Sequence, residues 1–188
     1  GSVRRWVDSS QEAAKRMQQL ISQMLTLADV ERPDAVLSMQ PVDLAAIATK
    51  AVLEMESIAY EKCVTLETAL PEACILRGNT DYLRRIVSSL LENALKYEPA
   101  GGRVHLALTQ DKRRARLSVQ NVGSTIPAED LPHVFDRFYR SDKSRKSESG
   151  SFGLGLAITM EMVEKLGGEI SVSSSAEGGT VFQVTLCR

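Results

Sequence analysis

Apolar residues along positions 3–31 recur at alternating steps of three and four, in Val3, Trp6, Ala13, Met17, Leu20, Met24 and Leu27, with Ser10 the one polar member of the row. Such a heptad seam predicts a long helix. Val7, Ala14, Ile21 and Ala28 form a second row beside it, so the stripe is too wide for a solitary surface helix. Nothing later in the chain supplies a second heptad helix. The expected partner is a second copy in a homodimeric bundle or a sister helix upstream, with packing on the following segment as the alternative.

Arg32-Pro33-Asp34 stops this helix, and Pro41 marks a second break, so residues 32–42 read as a linker carrying one short strand over 36–40. Asp43 is placed to cap the next helix, whose apolar face is Leu44, Ile47, Ala51, Val52, Met55 and Ala59. The pattern then changes to period two in Val64, Leu66 and Thr68, and a short apolar segment, 74–76, follows Pro71. Gly78-Asn79 turns the chain, with Thr80 or Asp81 expected to cap a helix over 83–97. Its face of Leu83, Ile86, Val87, Leu90, Leu91 and Ala94 belongs in a core. Pro99-Ala100-Gly101-Gly102 ends it. Residues 104–109 and 115–120 read as a β-hairpin around a polar turn, and 121–152 as a long loop broken by Phe135, Phe138 and Tyr139. A loop that long in a compact domain is usually functional. A helix over 154–166 and strands over 169–175 and 180–186, turned by Glu177-Gly178-Gly179, complete an α+β fold of two layers, helices against a mixed sheet.

Composition adds exclusions. The 188 residues are 43% hydrophobic and 25% charged, with a net charge of −1, so no long-range field recruits nucleic acid or an anionic membrane. Lys112-Arg113-Arg114 reads as a solvated turn. No apolar run approaches the roughly 18 residues that span a bilayer. Cys63, Cys74 and Cys187 are odd in number, lack metal-ligand spacing and read as buried free thiols of a reducing compartment. The opening Gly1-Ser2 reads as a cloning remnant, which makes the chain a piece of something longer.

Candidate chemistry sits on the helix over 83–97. At roughly 100° per residue, Ser89, Asn93 and Lys96 fall along one border of the apolar face, away from Arg84, Arg85 and Glu92. An amide oxygen suits Mg²⁺, an ammonium suits phosphate oxygens, and Tyr97 adds a ring that can stack on a base. An amphipathic helix with a merely wetted edge accounts for the same pattern. Ser151-Phe152-Gly153-Leu154-Gly155-Leu156 stands immediately before a helix, where free N–H groups and the positive dipole end can hold a polyphosphate. It is neither a P-loop nor a Rossmann fingerprint, and a plain loop-to-helix turn is the bland alternative. Asn121 closes the hairpin strand with a carboxamide oxygen able to accept from an adenine amine.

The set LLENALKY, NVGSTIP, FDRFYR, GSFGLGLAI and EGGTVF, in that order and at these intervals, resembles the ATP-binding catalytic domain of sensor histidine kinases, in the wider group that includes gyrase, MutL and heat-shock chaperones. The likeness covers residues 36–188, and 3–31 resembles the second helix of that family's dimerisation hairpin. The resemblance implies a Bergerat-type two-layer sandwich with three main helices over 33–188, preceded by a truncated dimerisation segment, 1–32. It implies that Asn93 holds Mg²⁺ on ATP, that Lys96 contacts phosphate and that Tyr97 lies on the adenine side. Asn121 takes the place of the adenine-reading aspartate, Gly123 lets the base approach, and Thr180 lies near it. Ile126 and Leu154 join the nucleotide-binding set, Arg140 reaches the γ-phosphate, and Gly153, Gly155 and Leu156 wrap the phosphates under a lid over about 137–150.

The activity so implied is transfer of the γ-phosphoryl group to a histidine on a separate helix, for relay to a response regulator. The wider protein is expected to be a homodimer through the N-terminal helix and this portion to be the cytoplasmic part of a bacterial inner-membrane sensor, itself touching neither membrane nor nucleic acid. His105 and His133 lack the helical, acid-followed setting of the acceptor. Three departures matter. Asn121 is neutral where aspartate is common, which weakens the base contact by about 1 kcal/mol. Thr125 replaces a common glycine. Ser89 replaces a second asparagine and cannot be the water-activating base of the gyrase-like ATPases, which favours transfer over hydrolysis. A gyrase-like ATPase or protein-serine kinase, and a degenerate nucleotide-sensing scaffold, are the rival readings.

Overall fold

The computed structural model describes residues 2–33, 36–140 and 152–188. The elements are α1 (Ser2–Glu31), β1 (Gln40–Asp43), α2 (Leu44–Glu61), β2 (Thr65–Ala69), β3 (Ile75–Gly78), α3 (Thr80–Tyr97), β4 (Arg103–Gln110), β5 (Arg114–Asn121), a one-turn 3-10 helix (Leu131–His133), α4 (Gly155–Lys165), β6 (Glu169–Ser175) and β7 (Gly179–Cys187). Five strands form one sheet in the order β2-β4-β5-β7-β6, and β1 pairs with β3 separately. The β2–β4 pair is parallel and the other pairs are antiparallel, so the sheet is mixed, as expected.

Period-two alternation in the sequence becomes one dry sheet face. Val104, Leu106 and Leu108 of β4, Ala115, Leu117 and Val119 of β5, and Phe182, Val184 and Leu186 of β7 are all buried, while the residues between them stay partly exposed. On that face lies α3, flanked by α2 and α4. Its Leu83, Ile86, Val87, Leu90, Leu91, Ala94 and Leu95 are buried, and each large member contributes about 1.5–3 kcal/mol of transfer free energy. Pro99 forces Glu98 into extended backbone (φ −72°, ψ 128°) and so ends the helix after Tyr97.

The Asp43 carboxylate caps α2, accepting from Ala45 N at 3.0 Å, and it also accepts from Cys74 N at 2.9 Å. One side chain therefore ties the small β1–β3 sheet to α2. The short strand lies at Gln40–Asp43 rather than 36–40, and Val36 is 96% exposed. Pro41 is tolerated because β1 pairs on one side alone, an edge position that spares an N–H. The cap of α3 is Asn79, not Thr80 or Asp81: its backbone is extended and its Oδ1 accepts from Tyr82 N at 3.0 Å. Asp81 instead lies in the first turn, where its charge suits the dipole. Among the thiols only Cys74 is buried; Cys63 and Cys187 are exposed, because both lie at element ends.

The α1 stripe divides. Leu27 and Val30 are buried and Leu20 packs against the same core, so the C-terminal part of α1 lies on α4. Arg137 pairs with Glu31 and, at 3.7 Å, with Glu161 of α4, and Lys165 Nζ donates to Arg32 O at 3.1 Å. Val7, Met17, Ile21, Met24 and Leu25 remain exposed. Packing on the following segment therefore accounts for one end of the helix and leaves these five side chains uncovered.

Candidate functional site

A cleft of about 580 Å³ opens between the C-terminal half of α3, the segments flanking α4 and the polar flank of α1. Helical spacing carries Ser89, Asn93 and Lys96 onto its wall together, because the apolar face beside them is locked on the sheet. Tyr97 follows at the rim, with Lys96 Nζ 5.1 Å from its ring centroid. Arg140 and Tyr139 come from the chain between β5 and α4, and Gly153, Gly155 and Leu156 close the far side.

Cations are concentrated here. The Lys96 ammonium is pushed below the ordinary lysine range, first by burial and then by repulsion from Arg140 and Lys62. A group held in that state gains when an anion arrives. The N-terminus of α4 adds to the demand: Leu154 caps it without a side-chain hydrogen bond, and its first turn carries no acidic residue. Among the described residues no side chain caps its leading N–H groups, and the positive dipole end there suits an anion. Gly153 has φ +73°, and a Cβ there would meet Tyr139 O at 2.5 Å, so glycine is what lets the chain fold back on Phe138 and Tyr139. Phe138 N–H in turn donates to Gly153 O at 3.0 Å.

Of the residues predicted for a nucleotide site, Asn93, Lys96, Tyr97, Arg140, Gly153, Gly155 and Leu156 line this one cleft. Asn121, Gly123, Ile126, Leu154 and Thr180 are not on its lining. Leu154 is fully buried and anchors the start of α4 in the core. Asn121 and Thr180 are buried partners across β5 and β7. Thr180 Oγ1 donates to Ser124 O at 2.9 Å and stands 2.9 Å from Ser174 Oγ, which accepts from Ile126 N at 2.9 Å. Together they pin residues 124–126 to the sheet. Residues 141–150 of the expected lid lie outside the described residues.

Several participants escaped sequence reasoning. Glu92, expected on the outer face with Arg84 and Arg85, lines the cleft, and its carboxyl is pushed up by burial. Gln19, Ser22 and Gln23 of α1 also line it; their spacing of three and one marks one helix flank, which reads as merely solvated until α1 is seen against α4. Glu98 is 6% exposed and accepts from Gly123 N at 2.9 Å and Arg103 N at 3.0 Å. A Cβ on Gly123 would fall 2.8 Å from Glu98 Oε1 and from Pro99 Cγ, so that glycine is required by the carboxylate beneath it.

The sequence profile of the histidine kinase-, DNA gyrase B- and HSP90-like ATPase family matches residues 78–188. Sensor histidine kinase RppB of Synechocystis is 32% identical over 92% of the chain and 38% of its own length. Sensor histidine kinase CusS of Escherichia coli is 34% identical over 95% of the chain and 37% of its own length. The chain thus spans less than two fifths of either relative. Among solved structures, full-length ShkA in complex with AMPPNP superposes with a TM-score of 0.82 at 25% identity, over 99% of the chain and 39% of that protein. Among the described residues no helix is long and apolar enough to cross a membrane.

Proposed function

The chain belongs to the histidine kinase-, DNA gyrase B- and HSP90-like ATPase family, and from that premise we propose that it is the ATP-binding catalytic portion of a sensor histidine kinase, passing the γ-phosphoryl group of Mg-ATP to a histidine on another helix. The observation that carries this reading is the convergence of a carboxamide, a desolvated ammonium, a guanidinium and an uncapped helix N-terminus on one cleft. A triphosphate matches that donor set, and the AMPPNP held by ShkA supports adenine as its base.

Among the described residues no group of three or more His, Cys, Asp or Glu could cage a metal. That donor chemistry fits Mg²⁺ arriving on the nucleotide, because the ion keeps most of its waters and takes few protein oxygens. The Asn93 carboxamide oxygen is the residue to hold it. Bound Mg²⁺ would neutralise phosphate charge. Lys96 and the α4 N–H groups would hold the phosphate chain, and Arg140 would stabilise charge on the γ-phosphoryl group. Tyr97 lies toward the base. Asn121, Gly123, Ile126 and Thr180 form the base end of the reading, behind the loop that Glu98 and Ser174 hold in place. Leu154 serves by fixing where α4 begins. Ser89 supplies no carboxylate to activate water, which favours transfer over hydrolysis.

Residues 1–32 then form half of a dimerisation hairpin and 33–188 the catalytic domain. The exposed Met17, Ile21 and Met24 are the surface for a second copy, and a response regulator is the onward acceptor. This portion lies on the cytoplasmic side of a bacterial sensor. Calorimetry with AMPPNP should show binding that strengthens with Mg²⁺, and a separately supplied histidine-bearing domain should become labelled from γ-³²P-ATP in acid-labile form. No binding at millimolar nucleotide, or an acid-stable phosphoserine product, refutes the reading.

A further inference from the structure

Arg140 reaches the cleft at the end of a segment held in an unusual shape. Phe138, two residues before it, has φ +62°, left-handed backbone that a residue with a side chain keeps only when its surroundings over-determine it. Its own ring is 58% exposed, so little of that constraint comes from burying Phe138. The ties lie around Tyr139. Phe138 N–H donates to Gly153 O at 3.0 Å and Tyr139 N–H to Asp136 O at 3.3 Å. The Tyr139 hydroxyl donates to Asp130 Oδ1, and its ring centroid lies 5.5 Å from that of His133, whose Nδ1 stands 2.8 Å from Asp136 Oδ2. Hydroxyl, ring and backbone of Tyr139 are thus held at once, and Arg140 is the next residue.

Asp130 is itself anchored. Its N–H and that of Leu131 donate to Pro127 O at 2.9 and 3.2 Å, and its carbonyl accepts from His133 N at 2.9 Å. Pro127 follows Ile126, which Ser174 ties to the sheet. A line of support therefore runs from β6 through residues 126–130 to the Tyr139 hydroxyl, and Asp130 is not on the lining of the cleft. A hydroxyl has one proton to donate, and that of Tyr139 goes to Asp130, away from any phosphate. We propose that Asp130 and Tyr139 are positioning residues that aim the Arg140 guanidinium at the γ-phosphate, Asp130 acting through the Tyr139 hydroxyl. This rests on the nucleotide reading above. An arginine has many rotamers, and its fork of donors meets a phosphate at least cost when the backbone that carries it is already fixed.

The test is calorimetric titration of the whole chain with AMPPNP and, separately, with ADP, both in Mg²⁺. ADP carries the same base and lacks the γ-phosphate. Tyr139→Phe removes only the hydroxyl, and Asp130→Ala removes its acceptor from outside the cleft. Each should weaken AMPPNP about fivefold, the size of one hydrogen bond, and ADP by less than about twofold. Asp130→Asn keeps an acceptor and should recover most of the parent value. In an Arg140→Ala background neither change should weaken AMPPNP further, a result that a merely structural role would not give. Melting curves confirm folding, and Tyr139→Phe carries the test if Asp130→Ala does not fold. Equal losses for ADP and AMPPNP, additive losses on Arg140→Ala, or full AMPPNP affinity in both single variants overturn the proposal. A parent chain that binds neither nucleotide overturns the function proposed above and this inference with it, whereas a binding parent with variants indifferent to the γ-phosphate overturns this inference alone.

Discussion

Lys96 is the residue on which the cleft's charge state turns. Its ammonium is disfavoured by burial and by Arg140 and Lys62, so in the folded chain it binds its proton less tightly than when unfolded. The unfolded chain holds more protons at this position through the alkaline window below the ordinary lysine value, and the group's contribution to stability rises with pH there. Anion binding works the other way, because it requires the charged form. Triphosphate affinity should therefore decline across that window at lower pH than an ordinary lysine would dictate, and Lys96→Met should flatten the profile; titration calorimetry at several pH values reads both. Cys63 offers a second case. It ends α2 with φ +56°, its N–H donating to Tyr60 O and the N–H of Val64 to Ala59 O, the pairing that usually closes on glycine. Cys63→Gly should raise stability by about 1 kcal/mol, seen as a higher melting temperature. Asn121 is a third: Asn121→Asp should tighten ATP binding by about fivefold through a charge-assisted contact. The same change should lower the melting temperature of the free chain, since it buries a carboxylate.

At the scale of elements, most of α3 and the sheet was legible because burial writes its period directly into the sequence: Leu83 to Ala94 at helical spacing, Val104 to Leu108 and Ala115 to Val119 at alternation. The misplacements have physical causes too. Pro41 reads as a break, yet an edge strand needs its N–H on one side only. Asn79 reads as turn, yet its side chain reaches Tyr82 N and starts the helix. Nothing local at Glu98, a residue before a proline, announces that β4 and the loop after β5 will converge on its carboxylate. The α1 flank was illegible for a further reason, since Gln19, Ser22 and Gln23 become part of the cleft only through where Leu27 and Val30 dock. Val30 is 2% exposed in that contact, so Val30→Asp should strip hydrogen-exchange protection from the end of α1 while β4, β5 and β7 keep theirs. Equal loss in the sheet would show that α1 is integral to the core.

For the molecule as a whole, the docked and undocked parts of α1 pose different demands. Leu25 is 62% exposed, Met17 64% and Ile21 54%, a continuous apolar flank that water does not favour. Sedimentation should show association that grows with concentration, and Ile21→Asp paired with Met17→Asp should hold the chain monomeric at the same concentration.

The parallel pairing of β2 with β4 carries one more consequence. β2 cannot find its neighbour through a tight turn, because β3 and all of α3 intervene before Arg103 arrives opposite Thr65. Ring closure over that span is entropically slow, whereas the β4–β5 hairpin zips locally. The β2 margin of the sheet should thus be the last seam sewn during refolding, after the β4–β5 hairpin has closed.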